Sequence, residues 1–127
     1  MGFSMQRLTV KQLSGWREAR LATNGGRCAL CKLAIKKPCA DHDHSTGQLR
    51  DVICSGCNSV LGKIENSYKR YGVQNLAAFL NGVAAYLQLH AVGRHGLIYP
   101  SHRTEEEKRE RRNTNARAAR AARKSSE

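Results

Sequence analysis

At 127 residues and a formal net charge of +12, the chain has room for one domain and a tail. Its charge favours polyanionic partners, nucleic acid first and an anionic membrane surface second. Apolar residues make up 40% and aromatic residues 6%, which excludes a large self-sufficient core and calls for a staple such as a disulfide or a structural metal.

No apolar run is long enough to span a bilayer, and MGFSMQRLTV lacks the apolar stretch of a secretory signal. A cytoplasmic, reducing location is therefore expected, where cysteines serve as metal ligands or reactive thiols more often than as disulfides. Met5 offers a second start, which would make residues 1–4 incidental.

The first expected element is a helix over Thr9 to Thr23. Thr9 and Gln12 have the spacing of a capping box. Val10, Leu13, Trp16 and Ala19 form an apolar stripe, and Asn24-Gly25-Gly26 stops the helix. Two short strands, Cys39–His44 and Leu49–Cys54, flank a turn at Ser45-Thr46-Gly47-Gln48. A helix from Cys57 to Tyr71 follows, ending at Gly72, and another runs from Val73 to His90. On the latter Leu76, Phe79, Leu80, Val83 and Leu87 share one face. Core packing is the ordinary reading of that stripe and a dimer interface the sharper one. Ala91 to Arg103 reads as irregular. Thr104-Glu105-Glu106-Glu107 then opens an Ala- and Arg-rich segment with almost no large apolar residue, expected to be a disordered tail or a phosphate-binding arm that becomes helical on a polyanion.

Two C-x-x-C knuckles, Cys28–Cys31 and Cys54–Cys57, bracket the hairpin. A two-residue spacer lets both thiolates of a knuckle reach one ion, and two knuckles close a tetrahedral site of the structural zinc type. Disulfides or a dithiol redox pair are the competing readings. Cys39 stands apart as a small apolar residue or spare thiol.

Asp41-His42-Asp43-His44 is an anionic, metal-liking cluster inside a basic chain. Strand alternation puts Asp41 and Asp43 on one face and His42 and His44 on the other, unless a bulge intervenes. A carboxylate facing DNA phosphate is repulsive unless a cation lies between them. Magnesium accepts carboxylate, amide and phosphate oxygens together, and an adjacent imidazole can take a proton from water. A polar turn flank is the plainer alternative.

The run Asp41-His42-Asp43-His44-x-Thr46-Gly47-x-x-Arg50, then Cys54-x-x-Cys57-Asn58 and Leu61-Gly62, resembles the phage recombination endonuclease VII family of His-Me finger (ββα-metal, HNH-like) nucleases. Asn24 to Cys31 is similar as well, so the resemblance spans about residues 8 to 72. It implies an α+β, mainly helical fold with a small ββα-metal core at about 27–72, stapled by zinc on Cys28, Cys31, Cys54 and Cys57. A packing helix would follow at about 73–90, completing a nuclease domain over 1–100, with the basic tail at 101–127. It implies a metal-dependent DNA endonuclease, with branched or nicked DNA among its substrates. Asp41 and Asn58 would hold magnesium or manganese, His42 would act as general base, and His44 and Asp43 would orient His42 or touch phosphate. Arg50 on the second strand would contact the scissile strand, with a solvated arginine as the alternative. Lys63, Arg117 and Arg120 are further candidate phosphate contacts.

Three features depart from the family pattern. Cys39 stands where members can carry a further His, and Asp51 stands where Gly commonly follows the Arg. Larger junction-resolving members also continue into a long C-terminal region that supports an intertwined dimer.

The competing function is a non-catalytic, zinc-containing DNA-binding protein, which the Asp-His cluster disfavours. A nucleobase deaminase needs His-x-Glu and an open zinc position, and no His-x-Glu occurs. Membrane-surface binding needs apolar anchors that the tail lacks. A homodimer is expected because cutting both strands requires two active sites.

Overall fold

The computed structural model describes residues 5–126; residues 1–4, on which the reading of Met5 as a second start bears, lie outside them. The elements are α1 (Val10–Thr23), β1 (Pro38–His42), β2 (Leu49–Cys54), α2 (Ser55–Ser67), α3 (Leu76–Leu89) and α4 (Glu105–Ser125). This is the expected α+β, mainly helical class. The chain divides into two units, Met1–Val83 and Ala84–Glu127, with the division inside α3. No helix among the described residues is long and apolar enough to cross a membrane.

In the first unit α1 begins with the expected capping box. Thr9 Oγ1 accepts the Gln12 N–H at 3.2 Å and Gln12 Oε1 accepts the Thr9 N–H at 2.9 Å. It ends at Asn24, and Gly25 and Gly26 follow with φ of 64° and 74°, a region glycine enters without penalty. The apolar stripe is narrower than the sequence suggests. Val10 is 87% exposed and Ala19 is exposed, while Leu13 and Trp16 are half-buried. Arg20, one turn beyond Trp16, completes the contact by an ion pair with Asp51 of β2.

β1 and β2 pair antiparallel, Pro38 with Cys54, Cys39 with Ile53, Ala40 with Val52, and then His42 with Leu49. The register slips between Ala40 and His42, so two residues, Arg50 and Asp51, stand opposite Asp41 alone. β1 stops at His42, two residues short of the expected His44, because Asp43 belongs to the turn. Its Oδ1 accepts the Ser45 N–H at 2.8 Å and its carbonyl accepts the Gly47 N–H at 2.7 Å.

Among the described residues the buried apolar ones are Cys28, Val52 and Ile53, a core as small as the composition requires. The Ala29 N–H donates to the Val52 carbonyl at 3.1 Å, fixing the first knuckle to β2.

α2 starts at Ser55 rather than Cys57 because Cys54 is its N-cap, its Sγ accepting the Cys57 N–H at 3.4 Å. It ends at Ser67, and turns carry the chain to Gly72. α3 starts at Leu76, not Val73, because Asn75 caps it by accepting the Ala78 N–H at 3.0 Å. No residue of α3 is buried: Leu76, Leu80 and Val83 are half-buried, Phe79 is 47% and Leu87 62% exposed. The stripe is thus covered in part, at Leu76, Leu80 and Val83.

In the second unit residues 91–103 are irregular, as expected. The tail is a helix, α4, capped at Thr104, whose Oγ1 accepts the Glu107 N–H at 3.1 Å. Three Glu in its first turn and Arg123 and Lys124 in its last oppose the helix dipole, so alanine-rich propensity and end charges form a helix that buries nothing.

Candidate metal centre and catalytic hairpin

The Sγ atoms of Cys28, Cys31, Cys54 and Cys57 all lie within 4.8 Å of one another, with Cys31 and Cys54 at 3.9 Å. A tetrahedron with zinc–sulfur bonds of about 2.3 Å has sulfur–sulfur edges of about 3.8 Å, so the cluster fits that ion. Three backbone N–H groups prepare it: Cys31 and Cys54 donate to Cys28 Sγ at 3.5 and 3.3 Å, and Cys57 donates to Cys54 Sγ. Burial opposes ionisation of Cys28, yet the N–H groups of Cys31, Cys54 and Leu30 and the Cys31 thiol bring it down to about 6. Cys57 is pushed up to about 12, first by its hydrogen bond to Cys54, then by burial and the other thiols. Crowded thiols resist losing several protons, and a dication reverses that preference. Cys39 stays outside the cluster, half-buried, with its Sγ 3.9 Å from the Lys37 carbonyl.

Among the described residues the four cysteines are the one cluster of His, Cys, Asp and Glu side chains arranged to hold a metal. The Asp-His run is distributed differently. Asp41 is 7% exposed, and Arg50 grips it with Nε at 2.6 Å and Nη2 at 3.0 Å. Arg50 also grips Glu65 of α2, with Nη2 at 2.9 Å and Nη1 at 3.0 Å. Glu65 first, and Asp41 next, hold the guanidinium firmly protonated. In this structure the guanidinium is spent on two carboxylates.

His42 is exposed, and its ring stacks on His44 with centroids 4.7 Å apart and planes 5° apart. It lines a cleft of about 930 Å³ together with Leu13 and Trp16 of α1 and Thr46–Leu49 of the turn. Asp43 is committed to the turn, and the Ser45 N–H foremost lowers its pKa. Asn58 is half-buried on α2. Helical spacing puts Asn58 and Glu65, seven residues apart, on one stripe, the side of α2 from which Glu65 meets Arg50.

Oxygen donors of a carboxylate and an amide suit a hard cation, and a place already holding a guanidinium between two carboxylates suits positive charge. Lys63 is exposed on α2, and Arg117 and Arg120 are exposed on α4.

Sequence reading missed Glu65 and assigned no role to Asp51, the position that departs from the family pattern. Asp51 receives Arg20 Nε at 3.0 Å, Arg20 Nη2 at 3.2 Å, Asn24 Nδ2 at 2.9 Å and the Val52 N–H at 2.7 Å. It is a clamp between α1 and the hairpin. Arg20 above all holds its carboxyl down at about 2. The signal for Glu65 was present in its spacing from Asn58. For Asp51 there was none, since its partners are distant in sequence.

A two-stranded hairpin leading directly into a helix, tied at its base by four cysteines and carrying paired histidines by a cleft, defines a metal-stapled ββα module. The family model for recombination endonuclease VII matches residues 6–88, and the chain belongs to that family. Membership makes it a DNA-cleaving nuclease with a cysteine cluster able to bind metal. A comparison with curated proteins found no match.

Proposed function

We propose that the chain hydrolyses DNA phosphodiester bonds in the His-Me finger manner, with zinc in the cysteine cluster and a magnesium or manganese ion held by Asp41 and Asn58. The observation that carries this reading is His42: an exposed imidazole, braced by His44, at the edge of a cleft and one residue from a buried carboxylate. His42 accepts a proton from water as it attacks phosphorus. His44 limits rotation of that ring, and Asp43 shapes the turn that presents both. A hard cation held by Asp41 and Asn58 would supply charge stabilisation for the phosphoryl oxygens and the leaving 3′ oxygen. Lys63 contacts phosphate near the hairpin, and Arg117 and Arg120 on α4 serve as a phosphate-binding arm.

Catalysis is assigned to residues 27–72 within a nuclease domain of 1–100, with 101–127 as the arm. A cytoplasmic, reducing setting keeps the thiols available as ligands. A second copy of the chain is proposed to cover the exposed stripe of α3, giving the two centres that cleavage of both strands requires. Branched or nicked DNA is the proposed substrate class.

The test is nicking of supercoiled plasmid, linear duplex, nicked circle and four-way junction with magnesium or with chelator. His42→Ala, zinc-loaded and folded, should lose about 10²–10⁴-fold in rate while retaining DNA affinity. Cleavage at the wild-type rate by that variant would remove the mechanism. The Arg50 grip on Asp41 favours a second reading, a zinc-containing DNA-binding module without catalysis. Wild-type protein that binds DNA tightly yet never nicks it would establish that reading.

A further inference from the structure

Arg50 is left without a part in the hydrolytic scheme, yet it makes four hydrogen bonds, as many as Asp51 beside it. Its four contacts to Asp41 and Glu65 use four of the five guanidinium N–H donors. Asp41 is nearly buried, and a carboxylate so placed requires a counter-charge. Glu65 offers Arg50 a second, more exposed anchor on another element, with 28% of its side chain open to solvent against 9% for Asp41.

We propose that Arg50 is the resident counter-ion of Asp41, displaced when a divalent cation binds, and that Glu65 is a positioning residue that retains the displaced guanidinium beside the site. The inference rests on the hydrolysis reading, which gives Asp41 to the cation. A guanidinium and a divalent ion cannot occupy the same carboxylate oxygens, because both are positive and the site is poorly hydrated. Cation entry therefore breaks the two Arg50–Asp41 hydrogen bonds. Glu65 lowers the cost, since the departing guanidinium keeps its other two bonds and is not left unpaired. Its freed Nε and Nη2 hydrogens form a planar fork suited to a phosphate oxygen pair. Asp41 is thus screened when no metal is bound, and a phosphate ligand is delivered when it is.

The experiment measures manganese binding to zinc-loaded protein without DNA, by calorimetry and by electron paramagnetic resonance of the free ion. Zinc content and circular dichroism confirm the fold of each variant. Arg50→Gln should bind manganese about tenfold more tightly, the factor that 1.4 kcal/mol represents. Glu65→Gln should bind it about threefold more weakly, because Arg50 then has Asp41 as its sole anchor and repels the ion unneutralised. Arg50→Lys keeps the charge but cannot bridge two carboxylates bidentately, so it should fall between wild type and Arg50→Gln. In nitrogen-15 spectra the Arg50 Nε–H signal should shift with magnesium.

An Arg50→Gln protein with wild-type or weaker manganese affinity would overturn the displacement. Arg50→Lys indistinguishable from wild type would reduce it to a general field and overturn the bridge. Glu65→Gln binding as well as wild type would remove the role of Glu65. Asp41→Asn separates the two levels: it should abolish the site, and if it does not, the assignment of Asp41 to the cation fails instead.

Discussion

Replacing Asp51 by asparagine tests the clamp between α1 and the hairpin. The change keeps the shape of the side chain and removes the charge that binds Arg20 at 3.0 and 3.2 Å. The carboxyl is held at about 2 against an ordinary 3.8, which sets an upper bound of about 2.4 kcal/mol on the preference for the charged form. Asp51 is 28% and Arg20 42% exposed, so solvent screens the pair, and the expected loss on substitution is about 1 kcal/mol at neutral pH. The sign follows from the lowered pKa. The stabilisation is complete above the unfolded carboxyl's pKa near 3.8 and is lost as pH falls through about 2. Urea unfolding of zinc-loaded protein, followed by circular dichroism at neutral and acidic pH, gives the difference between wild type and Asp51→Asn. Zinc release in acid acts on both proteins, so the readout is that difference. It should shrink as pH drops below about 4, and at neutral pH as salt rises to about 1 M. A difference that is zero at neutral pH and low salt, or that grows in acid, would refute the clamp.

Cys54→Ser removes a zinc ligand and weakens the α2 cap at once, so it should lose bound zinc and unfold the hairpin–helix module, read by zinc content and circular dichroism. Phe79→Glu places a charge on the exposed stripe of α3 and should shift a dimer to monomer in sedimentation velocity while leaving zinc content unchanged. Replacing Arg117 and Arg120 together by alanine should weaken binding uniformly across DNA sequences and reduce the slope of log affinity against log salt by about 2.

The legible parts of the molecule were those written in local spacing. The Thr9 and Thr104 caps, the Asn24-Gly25-Gly26 stop, both knuckles and the hairpin can each be read from a few adjacent residues, and the structure contains each of them. What was illegible depends on the slipped register. In regular pairing Asp51 would stand opposite Asp41. The slip instead sets both Arg50 and Asp51 there, and their contacts run in different directions, Arg50 to Asp41 and Glu65, Asp51 to Arg20 and Asn24. No composition or periodicity encodes a one-residue slip, so the fate of both side chains lay beyond sequence reading. The stripe on α3 was legible only as a pattern. Periodicity shows that a face is apolar, not what covers it.

Cys54 ties the cysteine cluster to the hairpin and to the helix that follows it. It is the last residue of β2, the N-cap of α2 and a thiolate of the cluster. A cap fixes the rotational phase of the helix that follows, and phase decides which residues face the hairpin. Asn58, four residues after Cys54, and Glu65, seven further on, share one stripe, and Glu65 meets Arg50 from it. Rotating α2 by one residue, about 100°, would carry Glu65 away from Arg50. A metal held by Cys54 would therefore set the phase of α2 at the same residue where it holds the fold.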